Sequence, residues 1–578
     1  MVSFLAVRNF VKAGTFTATL TWRHLRDEPA RLPLLAFRLL PGPLRRGARG
    51  MGGRLGGLPR AYALWDAGRR AEVLETVRRA AHDASPRHLA QLAAFTIAVE
   101  QPELTAELLA RLPEGRRRAG LAHRLAVRTG RVAPNDPPDQ WNANAVSVTV
   151  PERTPRDDVV NGRVLHVVTN ALPHTNAGYT QRTHRIALGQ RAAGLDPQVL
   201  TRLGYPLTKG VPDPRPRVEV DGVAYHRMLP WTAPRDTAAE LRTSLRMAGR
   251  LVERLRPQVL HAASNHRNGR LALELGRRYG LPVVYEVRGF LEESWLSRDP
   301  SRSTADAFYR AERERETACM LAADLVVTLG ETMRADIVAR GVPEDRVIVV
   351  PNAVDEAFLE PLPDGAEQRA RIGIPAGAFV VGTTTSCYGY EGLTTLVDAV
   401  ALLRGRGVPA FALVVGDGPE LAALRRRADE AGLGDAALFP GRVPAGEVRG
   451  HHAAMDVFAV PRRDERVSRL VTPLKPVEAM AGGLPVVASD LPALREVVEP
   501  GVTGELIPPD ESEALSNCLE RLFYSPELRA AYGEAARERV GRDRTWTAAA
   551  HRYIAAYTAV SDQLSRPGHR VMGQPASE

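Results

Sequence analysis

The chain has few cysteines and no long apolar run. Its three cysteines, Cys319, Cys387 and Cys518, lie far apart, and none forms a CxxC pair. That spacing argues against a disulfide framework or a zinc site and suits a reducing compartment such as the cytoplasm. No apolar segment approaches the roughly 18 residues that a membrane-spanning helix needs. The N-terminus also lacks an unbroken secretory signal, because Arg8 and Lys12 interrupt it.

Acidic residues are scarce at the N-terminus. The 578 residues are 44% hydrophobic and 25% charged, values typical of a globular protein, with a net charge of +10. Residues 1–60 contain eleven Arg and Lys against two acidic residues, so +9 of that charge lies there and +1 in the rest. Arginine mixed with apolar residues suits an anionic membrane surface; a solvated basic arm or a helix packed on the protein is the alternative. The sequence shows no basic segment interleaved with aromatic residues, so nucleic acid is not an expected partner.

Local patterns divide the chain into regions. From residue 162 onward, short β-branched runs alternate with amphipathic helices in two series that are separated near residues 361–373. This alternation predicts an α/β protein with two Rossmann-like lobes facing a cleft, and ligands in such sheets bind at the carboxyl ends of the strands. The predicted regions are a basic, partly disordered or membrane-surface segment (1–60), a helical hairpin region (61–133), a linker (134–160), the N-terminal lobe (161–360), the C-terminal lobe (374–540), a helix crossing back (541–562) and a disordered tail (563–578).

Residues 473–489, PLKPVEAMAGGLPVVAS, are the most informative segment. They place Lys475 and Glu478 three residues apart, on one face at the start of a predicted helix. A cation and free backbone N–H groups at a helix N-terminus suit phosphate, and a carboxylate one turn later can accept hydrogen bonds from a sugar diol. The segment therefore predicts a nucleotide-sugar site, with an ordinary helix–loop–strand corner as the alternative.

This segment resembles the donor-binding motif of the retaining glycosyltransferases of family GT4, which have the GT-B fold. The resemblance covers about residues 160–560, and it includes the variant YEVRG at 285–289. It implies that the N-terminal lobe binds the acceptor and the C-terminal lobe the nucleotide diphosphate sugar. The implied acceptor is a hydroxyl of a lipid-linked glycan, an exopolysaccharide of the cell envelope or a small glycoside. No metal or other cofactor is expected, because cationic side chains and helix N-termini can stabilise the leaving diphosphate.

The resemblance also implies roles for single residues. Glu478 would hold the ribose, and Lys475, Glu478 and Arg288 would form the catalytic group. Arg288 stands where many members have a histidine, and it cannot act as a base because it stays protonated. The donor-binding residues are expected to be Gly178, Ser386, Gly416, Asp417, Gly418, Arg442, Arg462, Arg463, Lys475 and Glu478. The acceptor-binding residues are expected to be Tyr179, Gln181, Arg182, His184, Asn265 and His266, for which a surface polar role is the alternative.

The sequence departs from the family pattern at the diphosphate. The usual arginine and lysine are replaced by Ser386 and Glu391, and the first of two family glutamates is absent. Because an unpaired buried diphosphate is costly, we expect Lys475 together with Arg462 or Arg463 to supply the charge. A non-catalytic relative acting through its helical N-terminal region, or a GT-B epimerase or phosphorylase, remains the alternative.

Overall fold

The structure, a computed structural model, describes residues 2–27, 30, 32–129 and 158–565. The predicted linker and C-terminal tail lie almost entirely outside these residues. No helix in the described ranges is both long and apolar enough to cross a membrane.

In the described residues, eight α-helices precede the first strand. The segment over 1–60 that we expected to be partly disordered is helical over 2–27, 32–39 and 42–54. The first helix forms because residues 2–27 contain no proline and their apolar residues recur at helical spacing. The helices are α1 (Val2–Asp27), α2 (Leu32–Leu39), α3 (Gly42–Arg54), α4 (Gly57–Asp66), α5 (Arg70–Ala81), α6 (Pro86–Ala98), α7 (Pro102–Ala110) and α8 (Arg116–Arg128).

Helices α4 to α8 pack around an apolar core of their own. Leu92 and Phe95 of α6 are fully buried at its centre. Asp66, at the end of α4, accepts hydrogen bonds from Arg45 and Arg49 of α3, with N–O distances of 2.9 and 2.6 Å. These contacts join α3 to the helical domain.

Helix α1 instead packs on the N-terminal lobe. Ala13 and Phe16 form a small cluster with Leu207 and Leu229 of that lobe, and the Phe16 side chain is only 2% exposed. Gly204 makes room for the ring, because a Cβ there would lie 2.5 Å from Phe16 Cζ, and its φ of +75° also favours glycine.

The N-terminal lobe (158–353) is built on an eight-stranded sheet in the order β3-β4-β2-β1-β5-β6-β7-β8. Only the β3–β4 pair is antiparallel. The strand order reverses between β1 and β5, so a crevice opens at their carboxyl ends. The elements are β1 (Val160–Val168), α9 (Gly178–Ala192), β2 (Asp196–Thr201), β3 (Arg217–Val220), β4 (Val223–Arg227), α10 (Thr237–Leu255), β5 (Pro257–Ala263), α11 (His266–Tyr279), β6 (Val283–Val287), α12 (Leu291–Leu296), α13 (Ala307–Ala322), β7 (Leu325–Thr328), α14 (Glu331–Ala339) and β8 (Val347–Val349).

The C-terminal lobe (364–543) has a six-stranded parallel sheet in the order β11-β10-β9-β12-β13-β14. Here the order reverses between β9 and β12. The elements are α15 (Gly365–Arg371), β9 (Phe379–Thr384), α16 (Leu393–Gly405), β10 (Ala410–Val415), α17 (Leu421–Glu430), β11 (Ala437–Gly441), α18 (Val448–Ala453), β12 (Val457–Val460), α19 (Arg466–Leu470), α20 (Lys475–Ala481), β13 (Val486–Ser489), α21 (Pro492–Arg495), β14 (Gly504–Ile507), α22 (Ser512–Tyr524) and α23 (Pro526–Asp543).

The last helix, α24 (Trp546–Ser565), returns to the N-terminal lobe. Its Tyr553 and Tyr557 are buried in a cluster with Val164 of β1 and other residues of that lobe. Gly189 lets α9 and α24 approach closely, because a Cβ there would lie 2.9 Å from the carbonyl oxygen of Trp546.

Polar contacts also join the two lobes along one side of the cleft. Glu496, just after α21, accepts hydrogen bonds from the backbone N–H groups of Glu331 and Thr332, at 2.8 and 2.7 Å. The carboxylate thus neutralises the N-terminal end of α14 in the other lobe. Arg466 of α19 pairs with Glu293 of α12 at 3.0 Å. The lobes therefore meet as a closed pair.

We expect Phe16→Ala to release α1 from the N-terminal lobe, because loss of a buried phenylalanine ring costs about 3 kcal/mol or more. Hydrogen exchange of residues 2–27 measures the release. Phe10→Ala is the matched control, since that ring lies on the same helix but is 72% exposed. Equal protection of α1 in both variants would contradict the packing described here.

Candidate active site

A cavity of 160 Å³ lies in the C-terminal lobe, where the carboxyl ends of β9 and β12 diverge. Ligands bind at this position in open α/β sheets, because the loops that follow the two strands turn to opposite faces. Thr384 and Phe458 belong to the two strands, Thr385 and Ser386 to the loop after β9, and Lys475 to α20. Hydroxyl groups and one ammonium thus line a small crevice.

Helix α20 presents Lys475 to the cavity and half-buried Glu478 one turn later. Lys475 is one of only three lysines in the chain. Within the described part of the chain, neither side chain has an ion pair or a hydrogen bond to another side chain. Burial raises the pKa of Glu478 to about 7, and the nearby Lys475 opposes this only in part. Lys475 is therefore open to a ligand in the cavity, and Glu478 lies one turn behind it.

The two arginines expected to replace the missing cations are paired with acids. Arg462 lines the cavity but donates to both carboxylate oxygens of Glu391, at 3.1 and 3.3 Å, and to the carbonyl oxygen of Val471. Arg463 is exposed and lies 3.4 Å from a carboxylate oxygen of Asp510. Glu391 and Asp510 thus offset the positive charge that these arginines would offer a diphosphate, and their contact with a donor stays a prediction.

The predicted glycine turn shapes the wall of the crevice. A Cβ at Gly416 would lie 1.7 Å from the carbonyl oxygen of Thr385, and one at Gly418 would lie 2.6 Å from that of Cys387. The two glycines therefore let the loop after β10 pack directly against the loop after β9. Asp417 is exposed and accepts the N–H of Gly418 at 2.8 Å. Contact of this turn with a donor stays a prediction.

Arg442 reaches across the cleft from the C-terminal lobe. Its guanidinium donates to the carbonyl oxygen of Asn176 at 2.8 Å, in the loop that precedes α9. Gly178 begins α9 two residues later, and its Cα faces open space. The structure thus brings two of the predicted donor-binding residues to one place, on opposite sides of the cleft.

A fully buried carboxylate, Glu286 at the end of β6, ties together several elements. It accepts hydrogen bonds from Arg182, Arg288 and Tyr553, at 2.9, 2.5 and 2.8 Å, and lies 3.2 Å from a ring nitrogen of His261. Burial alone would raise the pKa of Glu286, but Arg288 and Arg182 outweigh it and hold that pKa well below its usual range. The cluster is a buried ion-pair network inside the lobe, in which two guanidiniums share one carboxylate.

The contacts of Arg182 contradict its predicted role as an acceptor-binding residue. Its remaining N–H groups donate to the carbonyl oxygens of Val350 and Pro351 and to the side chain of Asn352. The guanidinium is buried and its hydrogen bonds are taken up by protein atoms, so Arg182 joins the lobe to the interlobe segment and is not an acceptor ligand.

Arg288 is engaged in a similar way. Besides Glu286, its guanidinium donates to the carbonyl oxygen of Tyr179 at 2.9 Å and to the hydroxyl of Thr183 at 2.6 Å. Arg288 shares the single charge of Glu286 with Arg182, and its other contacts hold the first turn of α9. The contacts give no support to a catalytic role for Arg288 and describe a positioning residue.

The predicted acceptor residues separate into two groups. His184 is buried between the Tyr225 hydroxyl and Asp221, each 2.8 Å away, and His266 is buried 3.2 Å from a carboxylate oxygen of Glu312. These two histidines are core residues, so the prediction that they contact an acceptor is wrong.

The other group lies at the cleft. Tyr179 is exposed and accepts a hydrogen bond from the amide of Asn170, and Gln181 donates to the side chain of Asn176. Asn265 is half-buried and caps α11. Their contact with an acceptor stays a prediction.

Sequence reasoning missed an aromatic pair at the cavity. Tyr388 and Tyr390 stack with ring centroids 5.8 Å apart and planes within 6° of parallel, and both line the cavity. The guanidinium of Arg298, from the N-terminal lobe, lies 5.9 Å from the Tyr388 ring centroid. The Tyr-Gly-Tyr sequence at 388–390 was a visible signal for the pair, whereas no local signal connects residue 298 to it.

The described residues contain no group of three or more His, Cys, Asp or Glu side chains that could hold a metal ion.

Two family models match the chain in succession. Residues 177–353 match the model described as "Glycosyl transferase 4-like domain", and residues 364–539 match the one described as "Glycosyl transferases group 1". Each match falls in one of the two lobes.

Several curated relatives are similar to the chain. It is 33% identical over 219 residues to the GDP-mannose-dependent alpha-(1-6)-phosphatidylinositol monomannoside mannosyltransferase of Mycolicibacterium smegmatis, covering 37% of this chain and 57% of the relative. It is 33% identical over 213 residues to the 2-deoxystreptamine glucosyltransferase of Streptomyces kanamyceticus, covering 36% and 54%. It is 26% identical over 371 residues to the D-inositol 3-phosphate glycosyltransferase of Arthrobacter sp. (strain FB24), covering 61% and 83%. The chain thus spans just over half the length of the first two.

Solved structures share the fold. Sucrose-phosphate synthase from Thermosynechococcus elongatus superposes with a TM-score of 0.56 at 21% identity, covering 69% of this chain and 99% of that one. Anabaena Alr3699/HepE in complex with UDP gives 0.54 at 19% identity, covering 69% and 100%. The prediction of a GT-B fold with a helical N-terminal region is confirmed.

We expect Glu478→Gln to stabilise the protein increasingly as the pH rises from 5 to 8. The folded protein raises the pKa of Glu478 to about 7 and so favours its protonated form. This contribution to the free energy of unfolding is complete below the ordinary pKa of a glutamate and is lost as the pH rises through about 7. Glutamine cannot ionise and avoids that loss. Thermal unfolding at several pH values measures the difference from wild type.

Glu420→Gln, which replaces an exposed carboxylate, is the control. A difference in Tm between Glu478→Gln and wild type that stays constant from pH 5 to 8 would contradict the assignment.

Proposed function

The chain belongs to the GT4 family of glycosyltransferases with the GT-B fold, and we propose that it transfers a hexose from a nucleotide diphosphate sugar to an acceptor hydroxyl with retention of configuration. The observation that carries the proposal is the pair on α20, with Lys475 lining the cavity and Glu478 one turn behind it. A lysine suits phosphate, and a carboxylate suits a ribose diol. Both groups lie at the switch point of the C-terminal sheet, where α/β sheets bind nucleotides.

The reaction requires stabilisation of a departing diphosphate. The bond between the sugar's anomeric carbon and the diphosphate oxygen breaks, and the acceptor oxygen forms a bond to that carbon on the same face. The acceptor's proton passes to a diphosphate oxygen, so no side-chain base is needed. Lys475 neutralises the charge that develops on the leaving group, and the hydroxyls of Thr385 and Ser386 donate to it. In this proposal the positive charge comes from side chains, and the reaction needs no metal ion.

The acceptor is a hydroxyl of a lipid-linked glycan, an exopolysaccharide or a small glycoside. The relatives named above carry phosphatidylinositol mannoside, 2-deoxystreptamine and D-inositol 3-phosphate in their names, each of which contains a polyhydroxylated six-membered carbocycle. Exposed Tyr179 and half-buried Gln181 and Asn265 are the predicted acceptor residues that remain accessible. Ring polyols are therefore the first small acceptors to test.

We expect Lys475→Ala to lower kcat about 100-fold or more, because removal of a preorganised cation from a developing charge typically costs that much. The measurement is sugar transfer from GDP-, UDP-, ADP- and dTDP-hexoses, with and without EDTA. Lys209→Ala, at an exposed lysine of the N-terminal lobe, is the matched control and should keep wild-type turnover. Near-normal turnover of a folded Lys475→Ala variant would refute the role of Lys475, and abolition by EDTA would refute metal independence.

Peripheral contact with an anionic membrane, at the cytoplasmic face, is the second part of the proposal. Phe10 and Trp22 of α1 are 72% and 70% exposed, and both line a groove where α1 meets the N-terminal lobe. The same helix carries Arg8 and Lys12, and the sequence has no acidic residue before Asp27. Exposed aromatic residues on a basic helix with almost no acidic residues are typical of a helix that lies in a lipid interface.

An apolar groove of 620 Å³ continues this surface. It lies between α1 and the loop of the N-terminal lobe that contains Leu207, Pro212 and Pro214. A membrane bound at α1 would therefore also meet the predicted acceptor lobe, which suits a lipid-linked acceptor.

We expect the double variant Phe10→Ser/Trp22→Ser to lose co-sedimentation with vesicles that contain phosphatidylglycerol, while transfer to a soluble acceptor persists. Both residues contribute apolar area to the lipid interface, so their loss weakens binding. Tyr524→Ser, at a 69% exposed aromatic of the C-terminal lobe, is the control. Wild-type protein that stays in solution with these vesicles would exclude membrane contact and leave α1 as a surface for a protein partner.

A further inference from the structure

The cavity is short of positive charge for the donor proposed above. A nucleoside diphosphate brings two to three negative charges, and burying such charge without partners is costly. The C-terminal lobe offers Lys475, whereas Arg462 at the same cavity is neutralised by Glu391. A second cation must therefore come from elsewhere.

Arg298 is positioned to supply it from the other lobe. It follows α12 in the N-terminal lobe, and its guanidinium carbon lies 5.9 Å from the ring centroid of Tyr388. Tyr388 stacks on Tyr390, and both rings line the cavity. An arginine held near an aromatic ring keeps its N–H groups at the edge of the guanidinium plane, where they can bind a phosphate bidentately.

The nearby acids do not neutralise Arg298. Asp299 accepts a hydrogen bond from Ser301 and pairs with Arg302, at 2.7 and 3.7 Å. Arg298 itself is exposed and has no ion pair to any residue that the structure describes. Its charge is therefore available to a ligand in the cleft.

The segment that carries Arg298 is braced. Arg302 lies over the ring of Trp295, 4.6 Å from its centroid, and donates to the Trp295 carbonyl oxygen at 2.5 Å. Phe308 contacts the same indole, with ring centroids 5.0 Å apart. These contacts close a compact turn around residue 298, so its guanidinium is presented to the cleft by a fixed backbone.

We propose that Arg298 binds the diphosphate of the nucleotide sugar across the cleft and, with Lys475, replaces the two cations that Ser386 and Glu391 have displaced from the C-terminal lobe. This inference rests on the proposed function, since it assigns a further residue to the same donor site. In this proposal both lobes form the donor site, because each lobe contributes one cation. The stacked tyrosines hold the N-terminal cation next to the site before a ligand enters.

The test compares ligands that differ only in the diphosphate. Binding of UDP and GDP, and of uridine and guanosine, is measured by calorimetry for wild type and Arg298→Ala. One nucleoside diphosphate is expected to bind wild type. We expect Arg298→Ala to lower the affinity for that diphosphate about tenfold or more and to leave the affinity for the matching nucleoside unchanged. The KM for the nucleotide sugar should rise in parallel, and Arg298→Lys should recover part of the loss.

Arg278→Ala is the matched control. Arg278 is an exposed arginine that also lies over a tyrosine ring in the same lobe, 5.3 Å from the centroid of Tyr279, but at the far end of α11 from the cleft. It should bind both ligands as wild type does.

Three outcomes would overturn the inference, and they are distinguishable. If wild type binds UDP or GDP and Arg298→Ala binds it equally well, the inference is wrong and the proposed function stands. An equal loss for diphosphate and nucleoside also refutes it, because the residue would then act on the fold of the site. If wild type binds neither nucleotide, the proposed function fails and the inference fails with it.

Discussion

The buried carboxylate of Glu286 is the interaction on which the rest of the structure depends. It sits at the end of a central strand, and its partners come from α9, from the segment after β6 and from α24. Arg182 extends the network to the backbone between the lobes. Loss of Glu286 would leave the buried guanidinium of Arg182 without its ion-pair partner, which typically costs about 3–5 kcal/mol. One side chain thus fixes the crossover helix, the interlobe segment and the loop facing the cleft.

In the C-terminal lobe, the arginines near the cavity pair with acidic side chains of the same lobe. Arg462 and Arg463 stand where cations for a diphosphate were expected, yet each has an acid beside it. Burying an ion pair preserves local neutrality, so Arg462 can help to shape the cavity without attracting anions. Among the residues that line the cavity, Lys475 is therefore the cation without an acid partner. Such a site gains affinity mainly when the opposite lobe closes over it, which couples donor binding to the distance between the lobes.

Much of the fold could be predicted from the sequence, because β-branched runs alternating with amphipathic helices specify parallel sheets locally. The segment with Lys475 and Glu478 was found for the same reason, since both residues lie on one turn of one helix. The histidines at 184 and 266 were misassigned because their burial depends on Tyr225 and Glu312, which lie 41 and 46 residues away. Arg298 gave no signal, because its place at the cavity arises only when two lobes meet. Features set by neighbouring residues could be predicted, whereas features set by contacts between residues far apart in sequence could not.

Helix α24 has a consequence for how the chain folds during synthesis. The N-terminal lobe is not continuous in sequence, since Tyr553 and Tyr557 complete a core that otherwise ends near residue 353. The whole C-terminal lobe is translated between these two parts. A ribosome releases the first part of the lobe with one apolar face uncovered and with Glu286 lacking its tyrosine partner. The lobe that is translated first therefore completes its fold last. A fragment that ends at the interlobe segment would expose the apolar surface that α24 covers, and such surfaces promote aggregation.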